Sequence, residues 1–151
     1  MSFQPRRILV ATDFSDFSRK AADLAVDLAR TYHATIELTH VIPFARGVAA
    51  ALSLHDTRPE VFAFERSMRR HALTALATEE TRLRELGVEV KPHLLEGPTH
   101  AALIAASREA DLVVIATHGR GGISRLALGS VAESVVRGSY APVLTVRADA
   151  R

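Results

Sequence analysis

Leu112-Val113-Val114-Ile115-Ala116-Thr117-His118-Gly119-Arg120-Gly121-Gly122-Ile123-Ser124-Arg125-Leu126-Ala127-Leu128-Gly129-Ser130-Val131 reads as a strand, a glycine-rich loop and the start of a helix. The apolar run Leu112–Ile115 feeds the loop, and a helical pattern of Val131-Ala132 and Val135-Val136 leaves it. Such an arrangement aims backbone N–H groups and a helix dipole at one point, which favours an anion such as phosphate. Glycine lets the backbone approach a ligand closely.

Outward from this stretch, strands and helices alternate. Ile8-Leu9-Val10-Ala11 is a continuous apolar run, as expected of a parallel strand covered on both faces. Thr12-Asp13-Phe14-Ser15-Asp16 breaks it, and Asp13, Ser15 and Asp16 are the candidate caps for the next helix. In that helix Ala21, Leu24, Ala25, Leu28 and Tyr32 keep the spacing of an apolar stripe. Thr35–Val41 alternates as a second strand, nearer an edge than the first. Ile42–Pro59 shows no firm pattern beyond a short helix at Ala49–Leu52, and connections of that length are commonly functional or mobile.

A long helix is expected from about Glu60 or Val61 to Leu86, closed by Gly87. Its stripe is Met68, Ala72, Leu76, Leu83 and Leu86, interrupted by Glu79. Val88–Leu94 alternates, and Pro92 suits an edge strand. Gly97-Pro98-Thr99 opens a helix with Thr99 as candidate N-cap. Asp111–Ala116 is the fourth strand and Pro142–Val146 the fifth. Strands alternating with helices imply an α/β fold, a parallel sheet with helices on both faces.

Composition bounds the possibilities. A chain of 151 residues is most simply one domain. No cysteine is present, which excludes disulfides, thiolate metal sites and cysteine nucleophiles. The formal charge of +2, from 19 basic and 17 acidic residues, argues against nucleic acid or an anionic membrane surface as partner. No apolar run approaches the roughly 18 residues of a membrane span. The expectation is a cytoplasmic protein. His33, His55, His71, His93 and His100 lack metal-ligand spacing, and His40 reads as a partly buried strand-end residue.

The loop fails two familiar tests. No Gly-Lys-Ser/Thr follows a glycine in the spacing of a P-loop. Gly119-Arg120-Gly121 is followed by Gly122, but Ser124 stands where a dinucleotide fingerprint needs its third glycine, and the strand before it is the fourth. A different spacing fits: Ala116-Thr117-His118-Gly119, nine residues, then Gly129-Ser130-Val131. This resembles the nucleotide-binding signature of the universal stress protein family, with Ala116 where that signature has its first glycine. Ile8-Leu9-Val10-Ala11-Thr12-Asp13, His40-Val41 and Ala141–Val146 extend the resemblance along nearly the whole chain.

The resemblance implies a single-domain, Rossmann-like open sheet of five parallel strands in the order 3-2-1-4-5. Strands one and four then meet at a switch point, where such folds bind ligands. It further implies ATP, with magnesium or manganese, as ligand. Ala11, Thr12, Asp13 and Val41 would face adenine and ribose, and Ile115 and Ala116 the ribose region. His118, Gly119, Arg120, Gly129, Ser130 and Val131 would surround the phosphates. A homodimer through the last strand, Val143 to Val146, is expected, since an exposed apolar edge invites pairing. The leading functional reading is a non-enzymatic, nucleotide-responsive stress protein. A slow ATPase and a nucleotide-free dimerisation or partner-binding module are the alternatives.

Overall fold

The computed structural model describes residues 3–43, 59–118 and 128–147 of the chain. The strands are β1 (Arg7–Ala11), β2 (Thr35–Ile42), β3 (Val90–Glu96), β4 (Leu112–Ala116) and β5 (Val143–Val146). The helices are α1 (Asp16–Tyr32), α2 (Pro59–Glu85), α3 (Thr99–Ala106) and α4 (Ser130–Gly138), with a 3₁₀ turn at Ser107–Glu109. The short helix expected at Ala49–Leu52 lies outside the described residues.

The strands form one parallel sheet in the order β3-β2-β1-β4-β5. Burial explains which strands are central. Ile8, Leu9 and Val10 of β1 and Val113 and Val114 of β4 are at most 2% exposed, because helices cover both faces. Alternation sorts the side chains into two layers. Ile8, Val10, Ile36, Leu38, Leu112, Val114 and Ala116 pack under α1 and α2, against Ala21, Ala25, Val26, Leu76 and Leu83. Leu9, Ala11, Val41, Val113 and Ile115 pack on the other face, against Leu103 of α3 and Ala132 and Val135 of α4. Fully burying side chains of this size contributes about 1.5–3 kcal/mol each.

The edges also follow the sequence. β3 is an outer strand, and Pro92 within it removes a donor that an interior strand would need. β5 is the opposite edge. β2 lies between β1 and the edge strand β3, nearer an edge than β1 as its alternation implies, and is mostly buried.

Three local expectations change. The buried stripe of α1 is Ser18, Ala21, Ala22, Ala25, Val26 and Ala29, while Leu24 and Tyr32 are exposed. Small side chains let the helix lie close to the sheet, so the larger apolar residues fall to the flanks. Glu79 does not interrupt the α2 stripe but belongs to it, at 6% exposure. Arg82 donates from Nε to Oε2 at 3.0 Å and from Nη2 to Oε1 at 2.7 Å, and Arg19 Nε stands 3.8 Å from Oε2. These hydrogen bonds to Glu79 raise the Arg82 pKa further and keep it charged. Finally, Thr99 is the first residue inside α3 and Pro98 occupies the N-cap, with no side-chain capping bond. The fixed φ of proline, −58° here, already sets the entry angle.

Candidate functional site

β1 and β4 are neighbours, yet their outgoing connections depart to opposite faces: α1 to one, α4 to the other. The carboxyl ends of these two strands therefore open a crevice between connections, the position where open α/β sheets take ligands. The sequence-predicted residues that the structure describes gather around it.

The β1 side is a tight turn. Thr12 N–H donates to Thr39 carbonyl oxygen at 2.9 Å and prolongs the ladder past Ala11. Phe14 takes φ 63°, the left-handed region that a bulky residue adopts only when its surroundings enforce it. Here Phe14 N–H donates to Thr12 Oγ1 at 3.0 Å, and the Phe14 ring lies 4.4 Å from the His40 ring, centroid to centroid. His40 Nδ1–H donates to Thr12 carbonyl oxygen at 2.7 Å, so the half-buried ring expected at the end of β2 braces this turn. Of the three candidate caps of α1, Ser15 is the one in place: Ser18 N–H donates to its Oγ at 3.2 Å. Asp13 instead accepts from Ser15, at 3.0 Å from N–H and 2.5 Å from Oγ–H.

The β4 side is a closed loop. Thr117 N–H donates to Val146 carbonyl oxygen at 2.9 Å, and Gly129 N–H donates to Thr117 carbonyl oxygen at 2.7 Å. The second bond brings the two ends of the loop together. Gly129 is required there: a Cβ on it would stand 2.8 Å from Thr117 oxygen. Gly129 is the N-cap of α4 and makes no side-chain capping bond, and α4 begins at Ser130 directly after the loop closure. Ser130 is exposed on the first turn and Val131 half-buried. His118 is half-buried, its Nδ1 is 2.8 Å from Thr117 Oγ1, and its ring is 6.2 Å from that of Phe17 on α1. Gly119 and Arg120 lie outside the described residues.

The two sides meet in a shared apolar floor. Ala11, Val41 and Ile115 belong to one cluster, with Val131 packed against it. Ala116 stands apart from them: its methyl belongs to the layer under α1, so it brings backbone to the crevice and turns its side chain away. The sequence reading missed Ser15, Thr117 and Phe14 as site-shaping residues. The signal for Ser15 was its place two residues after Asp13; nothing in the sequence marked the φ of Phe14.

A doubly wound domain with a crevice at its β1/β4 switch point defines the class. The model for the Universal stress protein family matches residues 5–147. Universal stress protein MJ0531 of Methanocaldococcus jannaschii is 31% identical over 147 residues, 94% of this chain and 82% of that protein. The solved structure of MJ0577, a universal stress protein of the same organism, superposes with a TM-score of 0.81 at 22% identity, over 99% of this chain and 100% of that one. A universal stress protein from Archaeoglobus fulgidus, solved in complex with dAMP, has a TM-score of 0.63 at 23% identity, over 93% of this chain and 97% of that one. The chain belongs to the universal stress protein family.

Proposed function

We propose that this chain is an ATP-binding universal stress protein, a nucleotide-responsive regulator rather than an enzyme. The observation that carries the reading is the convergence of the Asp13 turn and the Thr117–Gly129 loop closure on one crevice. Ala11, Thr12, Asp13 and Val41 take the adenine and ribose side, with Ile115 and the Ala116 backbone beneath the ribose. His118, Gly119, Arg120, Gly129, Ser130 and Val131 take the phosphates, helped by the N-terminal end of α4, whose N-cap is Gly129. An anion at such a helix end gains about 0.3–1 kcal/mol from the dipole, in addition to hydrogen bonds from N–H groups. The related fold solved with dAMP supports an adenine nucleotide as the ligand class.

A binding role is favoured over turnover because the titratable groups at hand are engaged: Asp13 with Ser15, His118 with Thr117. Among the described residues no group of three or more His, Cys, Asp or Glu is placed to hold a metal. In this reading magnesium or manganese comes with the nucleotide. The β5 edge supplies a homodimer interface. ATP as ligand and a cysteine-free chain fit a cytoplasmic setting. The test is the nucleotide content of freshly purified protein, read by absorbance and mass spectrometry after denaturation and after equilibration with ATP. Adenine nucleotide approaching one per chain is expected; none after equilibration with millimolar ATP would overturn the reading.

A further inference from the structure

We propose that the sheet face under α3 carries a second binding site, apart from the nucleotide crevice, for a small organic ammonium: a compact apolar body with one protonated amine. The site stands independently of the nucleotide reading.

Element lengths make the opening. Alternation puts Leu9 of β1, Glu37 and Thr39 of β2, and His93 and Leu95 of β3 on the same face of the sheet. The helix that packs there, α3, has 8 residues, about 12 Å of helix. β2 alone has 8 residues, about 26 Å of strand. On the opposite face the covering helix α2 has 27 residues. The short helix leaves part of the face uncovered, and a pocket of about 260 Å³ lies there. Its floor is Leu9, Thr39 and Leu95, and its wall is Ala106 at the end of α3 and Ala110 after the 3₁₀ turn. The Thr39 hydroxyl donates to the Glu37 carbonyl oxygen at 3.2 Å, so it presents no free hydrogen to the pocket.

Glu37 is the polar group at the centre of this lining. Its side chain is 16% exposed, in the middle of a strand. Taking a carboxylate that far out of water is costly unless it is paired. His93 Nε2–H donates to Oε2, and that half-exposed ring is its partner. Oε1 has no hydrogen-bond partner among the described residues and is not sealed from solvent. The nearby cation is committed elsewhere: Arg7 Nη1 donates to Glu109 Oε2 at 3.3 Å across the rim.

The chemistry of the ligand follows from these groups. An ionised carboxylate only accepts hydrogen bonds, so Oε1 takes a donor. An ammonium supplies a charge-assisted bond, about twice as strong as a neutral one. The apolar body displaces water from Leu9, Leu95, Ala106 and Ala110. An anion would be repelled by Glu37 and Glu109. A metal ion finds no group of three ligands among the described residues. The pocket falls below the about 300–1,000 Å³ of sites for drug-sized ligands, which limits the body to about one ring.

The experiment is amide NMR titration of the full chain at neutral pH with three probes of one shape: benzylamine, benzyl alcohol and benzoate. Benzylamine is expected to shift the Leu9, Glu37, Thr39 and Leu95 amides saturably while leaving Asp13 and Ser130 unmoved. Benzyl alcohol should bind the same place about tenfold more weakly, and benzoate more weakly still. Glu37→Gln keeps the shape and removes the charge, so it should weaken benzylamine about tenfold and bring it level with the alcohol. Ala106→Leu fills the pocket and should abolish binding of both, with a dispersed spectrum showing each variant folded. The comparison of amine and alcohol in the parent needs no variant. Equal binding of the two by the parent, tighter binding of benzoate, benzylamine binding unchanged by either folded variant, shifts confined to the β1/β4 crevice, or no saturable shift would each overturn the site and leave the nucleotide reading untouched.

Discussion

Ala116 and Gly129 show what a single residue decides here. Ala116 stands where the family signature has its first glycine, so its methyl is the one departure beside the proposed ribose region. The alternation of β4 places Ala116 in the core layer under α1, where it is 8% exposed. Ala116→Gly is therefore expected to leave ATP affinity within about twofold, and to cost about 0.5–1 kcal/mol of stability through backbone freedom. Calorimetry and urea denaturation measure the two. Gly129 is the opposite case: its position in the signature was legible, but its reason was not. A Cβ would meet Thr117 oxygen at 2.8 Å, so the substitution acts on the loop closure itself. Gly129→Ala should lower stability by about 1–3 kcal/mol and weaken ATP more than AMP in parallel titrations.

Among the elements, periodicity located every strand and every long helix that the described residues contain, but misjudged which residues face the core. In α1 the apolar residues of larger volume misled, since alanines set the helix–sheet distance and Leu24 stays outside. In α2 a charge at stripe spacing was read as an interruption. Glu79 is instead a buried carboxylate held by Arg82, one turn along α2, and approached by Arg19 of α1. A period count treats every charge as solvated and cannot see such a pair. Glu79→Ala removes one partner and leaves Arg82, about a third exposed, still able to reach water. The expected cost is about 1–3 kcal/mol in urea denaturation, with ATP affinity unchanged. An affinity change matching the stability change would tie α2 to the crevice.

For the whole molecule, the strand order was legible only through family resemblance, because alternation fixes a parallel sheet but not which strand lies beside which. The resulting edge at β5 carries the assembly prediction. Val113 and Thr117 N–H groups are bonded to the carbonyl oxygens of Pro142 and Val146, so Val143 and Thr145 turn their backbone groups to the open edge. Light scattering at tens of micromolar is expected to give twice the chain mass of 16.4 kDa. Thr145→Pro deletes an outward donor without touching the bonds to β4, and should yield a monomer. A monomeric parent would remove the edge interface.

The central claim is that the crevice between β1 and β4 binds ATP, and calorimetric titration of ATP with magnesium into the parent protein and into Gly129→Val tests it most directly. The account predicts saturable binding, one nucleotide per chain, in the parent and its loss in Gly129→Val at a concentration where circular dichroism shows the variant folded. No heat from the parent at millimolar ATP, or equal binding by the folded variant, would contradict it.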